Sequence, residues 1–127
     1  MEIKSIDHLV ITVADIDKTV AFYSQILGME VIKFGANRTA LKFGNQKINI
    51  HHVDNVIKPN AQNATPGSAD LCFITETPVE EVMNFMQNNH IDIELGPVER
   101  TGAQGPIISI YVRDPDKNLI EVANYIN

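Results

Sequence analysis

A β-strand pattern that occurs twice is the feature that most constrains this chain. Residues 6–13 (IDHLVITV) carry His8 near their start, and residues 69–75 (ADLCFIT) repeat the pattern with Asp70 in the equivalent place. Each copy precedes a segment with the apolar spacing of a helix. The repeat predicts two copies of one supersecondary unit, and the polar residues that both copies turn inward are the first candidates for a functional site.

Both halves have the same predicted order of elements: a strand, a helix and three more strands. Asp15 is expected to cap the first helix, which ends before Gly28, and residues 77–80 (TPVE) open the second helix with a capping box. The strands are predicted at 6–13, 29–34, 39–43, 47–51, 70–74, 91–95, 107–112 and 118–125, with a loop at 96–106. We therefore predict an α+β fold: two tandem βαβββ modules that form one curved sheet around a cleft. The whole chain is one domain, with module one at 1–52, a linker at 53–67 and module two at 68–127.

Alternation along the strands directs a set of polar side chains toward the predicted cleft. Imidazole and carboxylate groups are the ligands that Zn²⁺, Fe²⁺, Mn²⁺ and Ni²⁺ favour. A histidine on a strand is nevertheless more often a hydrogen-bonded structural residue than a metal ligand. Arg100, in the predicted loop above the cleft, is a candidate for binding an anionic substrate, although such a residue is most often a surface charge. The candidates for the cleft are His8, Asn49, His51, Asp70 and Glu121.

Charge and cysteine content exclude several classes of partner. The net charge of −6 and the pI near 5.0 argue against non-specific binding to nucleic acid or to an anionic membrane. No apolar run is long enough to span a bilayer, and no signal peptide is visible. Cys72, the single cysteine, is expected to be a small buried hydrophobic residue and fits a reducing compartment. We therefore expect a cytoplasmic protein.

Three segments resemble the vicinal oxygen chelate superfamily, which includes glyoxalase I, fosfomycin and bleomycin resistance proteins and extradiol dioxygenases. They are residues 6–10 (IDHLV), 21–29 (AFYSQILGM) and 114–121 (DPDKNLIE). Residues 47–51, 68–72 and 96–103 are similar to the group of glyoxalase domain-containing protein 5 and its bacterial relatives. The resemblance covers nearly the whole chain, and it implies paired βαβββ modules around a metal-binding cleft.

The resemblance also implies roles for the cleft residues. His8 and Glu121 match metal-ligand positions, and Asp70 stands where relatives often have histidine. The fourth ligand position falls on Asn49 or His51, depending on the alignment of the two halves. We choose His51 because imidazole is the better ligand, which leaves Asn49 and Arg100 to bind substrate.

The activity implied is that of a metal-dependent lyase or isomerase of the glyoxalase type, acting on a small oxygen-chelating substrate with Glu121 as the base. Two alternatives stay open: a binding protein that sequesters a drug or metabolite without chemistry, and an extradiol-type dioxygenase. Family members often form homodimers, so we expect a homodimer here.

Overall fold

The computed structural model describes all residues, 1–127, and divides into two compact units, Met1–Ser68 and Ala69–Asn127. The first unit contains β1 (His8–Val13), α1 (Ile16–Ala21, continued by a π-helical turn at Phe22–Ile26), β2 (Glu30–Phe34), β3 (Arg38–Phe43) and β4 (Gln46–His52). The second contains β5 (Asp70–Ile74), α2 (Val79–Asn88), β6 (Leu95–Gly102), β7 (Gly105–Arg113) and β8 (Leu119–Tyr125). The predicted α+β class and the repeated βαβββ order are confirmed.

Each unit has one four-stranded sheet, so the single curved sheet expected from the sequence is divided in two. The strand orders are β1-β4-β3-β2 and β5-β8-β7-β6, which are the same order in the two units. In each sheet the first and last strands of the unit run parallel and the other neighbours run antiparallel. The two units therefore share one topology, and equivalent positions in them can be compared directly.

One face of each sheet forms the apolar core together with the helix of that unit. In the first unit the buried core residues include Ile11, Val13, Phe22, Tyr23, Leu41, Ile48 and Ile50. In the second they include Val79, Val82, Met86, Ile110, Val112, Ile120 and Val122. No helix is both long enough and apolar enough to cross a membrane. Because only every second side chain of a strand points into the core, the side chains between them lie on the other face, where polar groups can be placed.

The start of α2 is capped differently from the prediction. The N-cap residue is Pro78, which has no side-chain hydrogen bond to offer, and the predicted capping box does not form. Instead the backbone N–H of Val79 donates to Asn124 Oδ1 at 2.8 Å, and Asn124 Nδ2 donates to the carbonyls of Thr75 and Thr77. A side chain from β8 thus supplies the cap that the local sequence was expected to supply.

The prediction of a strand at 91–95 and a loop at 96–106 is wrong. The structure has β6 at Leu95–Gly102, so Arg100 lies in a strand and not in a loop. Glycine and proline at 96 and 97 are tolerated because β6 is an edge strand with a register shift between Leu95 and Val98. A side chain at Gly96, where φ is +117°, would also collide with the Ser109 carbonyl oxygen at 2.5 Å.

The register of the parallel strand pairs corrects the alignment of the two halves. His8 pairs with Lys47 in the first unit, and Asp70 pairs with Leu119 in the second. Lys47 is therefore equivalent to residue 119, a shift of 72 residues. Aligning Lys47 with Lys117, a shift of 70, would have made His51 the equivalent of Glu121; the register makes Asn49 its equivalent.

Candidate functional site

In the first unit, the sheet face that does not form the core presents three rows of side chains. The β1–β4 register places His8 beside Lys47, Val10 beside Asn49, and Thr12 beside His51. All the predicted site residues of this unit therefore share one face. Their order along the strands decides which of them can act on the same ligand.

His8 lies at the exposed start of β1 and has a carboxylate neighbour. The His8 ring is hydrogen bonded through Nδ1 to Asp7 Oδ2 at 2.8 Å. An imidazole that bonds a carboxylate through one nitrogen keeps the other nitrogen free for a metal, which is the usual arrangement of metal-binding histidines. Because Asp7 adjoins His8 in the sequence, it could have been identified from the sequence as a hydrogen-bond partner of the imidazole.

Asn49 and His51 are buried residues whose side chains carry polar atoms without hydrogen-bond partners. Their side chains are 5% and 6% exposed, and neither Asn49 Oδ1 nor either ring nitrogen of His51 has a partner. Burial, and to a lesser degree the positive charge of Arg38, lowers the pKa of His51. The imidazole is therefore neutral at neutral pH, with one N–H donor and one acceptor nitrogen.

The register also separates His51 from His8. His51 pairs with Thr12, four residues along β1 from His8, which is about 13 Å at the rise of a strand. Asn49 pairs with Val10, only two residues from His8. Within this unit Asn49 is the nearer partner for His8, and the two imidazoles are too far apart to share one metal ion.

In the second unit, the equivalent sheet face centres on Glu121. Glu121 lies between Cys72 of β5 and Tyr111 of β7 in the register. The hydroxyl of Ser109, which is completely buried, donates to Glu121 Oε2 at 2.6 Å. Asp70 lies two residues before Cys72 on the same face. Ser109 was missed in the sequence, although its alternation with Tyr111 on β7 would have pointed to it.

Cys72 is exposed, not buried as expected from the sequence, because it lies on the edge strand β5 and on the face opposite the core. Desolvation of its sulfur raises the pKa of Cys72 to about 11, aided by the charge of Glu121 and by a hydrogen bond to that carboxylate. The thiol is therefore protonated at neutral pH and is a poor nucleophile.

Arg100 lies on the same face of this sheet but is bound to its neighbours. Its Nε donates to Tyr111 Oη at 3.0 Å, and its Nη1 donates to the Glu99 carbonyl at 3.2 Å. The guanidinium also lies over the Tyr111 ring, with its central carbon 5.6 Å from the ring centroid. The structure thus places Arg100 one side chain away from Glu121, through Tyr111.

The same pair of positions is polar in both units. His8 and Asn49 in the first unit correspond to Asp70 and Glu121 in the second, each pair being about 8 Å apart between Cα atoms on adjacent parallel strands. No group of three or more His, Cys, Asp or Glu side chains in the chain is arranged to hold a metal ion. A cavity of about 300 Å³ lies elsewhere, lined by Lys33, Phe34, Gly35 and Asn37.

Comparisons with known proteins agree with this architecture. Residues 5–122 match the model of the Glyoxalase/Bleomycin resistance protein/Dioxygenase superfamily. The virulence protein STM3117 of Salmonella typhimurium is 54% identical over 126 residues, which cover 99% of this chain and 88% of that protein. Its crystal structure superposes with a TM-score of 0.98 and covers 99% of this chain and all of that chain. The glyoxalase domain-containing protein RDO1 of Mycosarcoma maydis is 50% identical, over 98% of this chain and 70% of its own length.

Two less similar proteins have names that indicate different roles. The metallothiol transferase FosB of Staphylococcus epidermidis is 25% identical, over 96% of this chain and 82% of its own length. An antibiotic-binding protein of Streptomyces shares the fold at 18% identity, with a TM-score of 0.78 and coverage of 99% of both chains. Proteins of this architecture therefore include one named as a transferase and one named as a binder.

Proposed function

This chain belongs to the Glyoxalase/Bleomycin resistance protein/Dioxygenase superfamily, and from that premise we propose that it is a metal-dependent lyase or isomerase of the glyoxalase type. Its substrate would be a small molecule with two neighbouring oxygens. The observation that carries the proposal is the pair of polar side chains that recurs at one register in both units, His8 with Asn49 and Asp70 with Glu121. We infer that His8, Asn49, Asp70 and Glu121 are metal ligands, suited to a divalent ion of the group Zn²⁺, Ni²⁺, Mn²⁺ and Fe²⁺.

The donor atoms at these positions suit such an ion. His8 has a carboxylate on Nδ1 and its other nitrogen left for a ligand. Asn49 Oδ1 is buried without a partner, and an amide oxygen of that kind can coordinate a divalent cation. Ser109 holds one oxygen of Glu121, so the carboxylate is oriented by a neighbour as ligating carboxylates are. Asn49 thus replaces His51 in the proposed ligand set.

The metal would polarise the substrate oxygens and lower the energy of the negative charge that forms on them. The chain supplies the proton transfer. Glu121 is the candidate base, since it is a carboxylate oriented by a buried hydroxyl on the proposed site face. We propose Arg100, one side chain away through Tyr111, as a substrate-binding residue that orients an anionic group.

Metal binding tests the ligand set without a known substrate. We expect His8→Ala, Glu121→Ala and Asn49→Leu each to lower metal affinity by 10-fold or more and to reduce the metal-dependent rise in melting temperature. His51→Gln should leave metal affinity within 2-fold of wild type. The measurements are elemental analysis of untagged protein and titration of the metal into the chelated protein.

His90→Asn is the matched control, since His90 is an exposed histidine with φ of +60°, a conformation that asparagine also accepts. Full metal occupancy in both His8→Ala and Glu121→Ala would refute the site. If His51→Gln lost metal affinity and Asn49→Leu did not, His51 would again be the metal ligand, as first inferred from the sequence.

Sequestration without chemistry is the alternative function. It draws support from the antibiotic-binding protein of the same fold, though that likeness concerns the fold alone. A metal-free protein that binds a compound tightly and unchanged would favour it. The dioxygenase alternative is weaker, because a site of two histidines and one carboxylate would need a second histidine near His8, and His51 lies about 13 Å along the strand.

We also propose a cytoplasmic homodimer. All four edge strands of the two sheets expose a large apolar side chain: Val10, Val31, Ile74 and Leu95 are 37–49% exposed. Exposed apolar edges favour pairing with another copy. Sedimentation equilibrium at micromolar concentration should give about twice the 14.1 kDa mass of the chain. A single species with the mass of one chain would refute the dimer.

A further inference from the structure

A row of four side chains crosses the sheet of the first unit on the face opposite the core. The β1–β4 register places Thr12 beside His51, and the β2–β3 register places Phe34 beside Arg38. Arg38 and His51 face each other one residue beyond the last pair of the β3–β4 register. The row thus combines a buried imidazole with a cation and an aromatic ring.

The imidazole of His51 lacks the partners that a buried polar group normally has. Both ring nitrogens are inaccessible to solvent and unpaired, whereas most buried polar atoms in proteins are hydrogen bonded. The chain places no donor or acceptor within reach of either nitrogen. A water or another small molecule is the remaining source of a partner.

The two cations that contact the Phe34 ring also lack ionic partners. The Arg38 guanidinium lies 4.7 Å from the centroid of the Phe34 ring, and Lys47 Nζ lies 4.1 Å from the same centroid. Neither is within 4 Å of a carboxylate, since the ion pairs of the chain involve other residues. In a chain with a net charge of −6, two positive charges packed on one ring without a carboxylate form a local site for an anion.

We propose that His51 and Arg38 bind the oxyanion of a small organic acid, a carboxylate or a phosphonate. The N–H of the imidazole donates to one oxygen, and the guanidinium supplies charge and further donors. Lys47, which contacts the same Phe34 ring, adds a second positive charge. This inference deepens the proposed function, because it names a class of substrate for the same sheet face and gives His51 a role other than metal binding.

Side-chain NMR of the histidines tests the proposal on the full chain. The protein is labelled with ¹⁵N at histidine, stripped of metal with a chelator, and titrated with acetate, methylphosphonate or acetamide. The ring resonances of His51, assigned by their absence in His51→Gln, should shift saturably with acetate or methylphosphonate and not with acetamide. The anion that binds more tightly identifies the carboxylate or phosphonate class. Equal shifts with acetamide, or no shift with either anion, would overturn the proposal.

Two charge-matched variants separate the site from a general effect of charge. Arg38→Gln should weaken anion binding by 10-fold or more, whereas Lys33→Gln should change it by less than 2-fold. Lys33 also lies on the β2–β3 ribbon, but it alternates onto the other face and donates to Thr39 Oγ1 at 2.9 Å. Equal binding in Arg38→Gln and wild type would overturn the proposal.

Arg38→Lys takes the place of Arg38→Gln in this test if Arg38→Gln does not fold. Lysine keeps the positive charge but lacks the planar guanidinium with its paired N–H donors. It should weaken binding measurably, and unchanged binding would count against the assignment. Because the titrations use metal-free protein, their failure would leave the metal site standing. Failure of metal binding would likewise leave the anion site standing.

Discussion

Glu121→Gln should lower turnover by roughly 10²-fold or more, the usual scale for loss of a general base, with a much smaller change in substrate binding. Glutamine preserves size and can still accept a hydrogen bond from Ser109, but it has neither the charge nor the basicity of the carboxylate. The measurement is kcat on a panel of hemithioacetals and catechols, beside the melting temperature of the same variant. A lower melting temperature with unchanged turnover per folded molecule would make Glu121 a structural carboxylate.

Glu99→Gln is the matched control, because Glu99 is exposed on β6 and alternates with Arg100 onto the other face. It should leave kcat unchanged. If no compound in the panel turns over with wild-type protein and several metals, sequestration becomes the better explanation and the same variants should be compared by binding.

The reactivity of the Cys72 thiol gives a second measurement of the effect of Glu121→Gln. Removing the charge and hydrogen bond of Glu121 should lower the pKa of the Cys72 thiol from about 11, although desolvation, the larger cause, stays. In metal-free protein at pH 8, alkylation by iodoacetamide should therefore be several-fold faster in Glu121→Gln, because the thiolate is the nucleophile. The chain has one cysteine, so the signal has a single source. An unchanged rate would show that the carboxylate does not act on the sulfur.

Most of the fold could be predicted because local patterns agree with the tertiary structure. Alternating strands, the Asp15 cap and the Gly28 helix end all appear where the sequence placed them. The predictions fail where a distant residue changes the local preference. Asn124 supplies the cap that residues 77–80 were expected to make, and the edge position of β6 allows Gly96 and Pro97 within a strand.

The face of each candidate site residue was predictable, but its register was not. Alternation alone put His8, Asn49, His51, Asp70 and Glu121 on the face opposite the core, as the strand pairings have them. Parity cannot distinguish Asn49 from His51, because they are two residues apart on one strand. The choice depends on which residue of β1 lies beside each, and that is a tertiary property with no local signal.

The segment 114–118, prominent in the family resemblance, forms a turn between β7 and β8 in which Asp114 and Asn118 are buried. Asp114 Oδ1 accepts hydrogen bonds from the backbone N–H groups of Asp116 and Asn118, and Asp114 Oδ2 accepts from Asn118 Nδ2 at 2.7 Å. Asn118 Oδ1 in turn accepts from the N–H of Ala69 at 2.8 Å. The turn is therefore tied to the residue that precedes Asp70, a proposed metal ligand.

Asp114→Ala should lower the free energy of unfolding by about 3 kcal/mol, measured by urea denaturation, because it leaves three donors without their acceptor and two of them belong to the buried Asn118. Asp92→Ala, at an exposed aspartate, should change it by less than about 0.5 kcal/mol. Asp114→Asn should fall between them, since its amide keeps one acceptor oxygen for the two backbone donors and turns an NH₂ group toward Asn118 Nδ2.

Loss of the turn should also free Ala69 and with it Asp70, so the folded fraction of Asp114→Asn should bind metal more weakly than wild type. Wild-type stability in Asp114→Ala would mean that the turn holds its shape without the carboxylate, and the link from this segment to Asp70 would then fail.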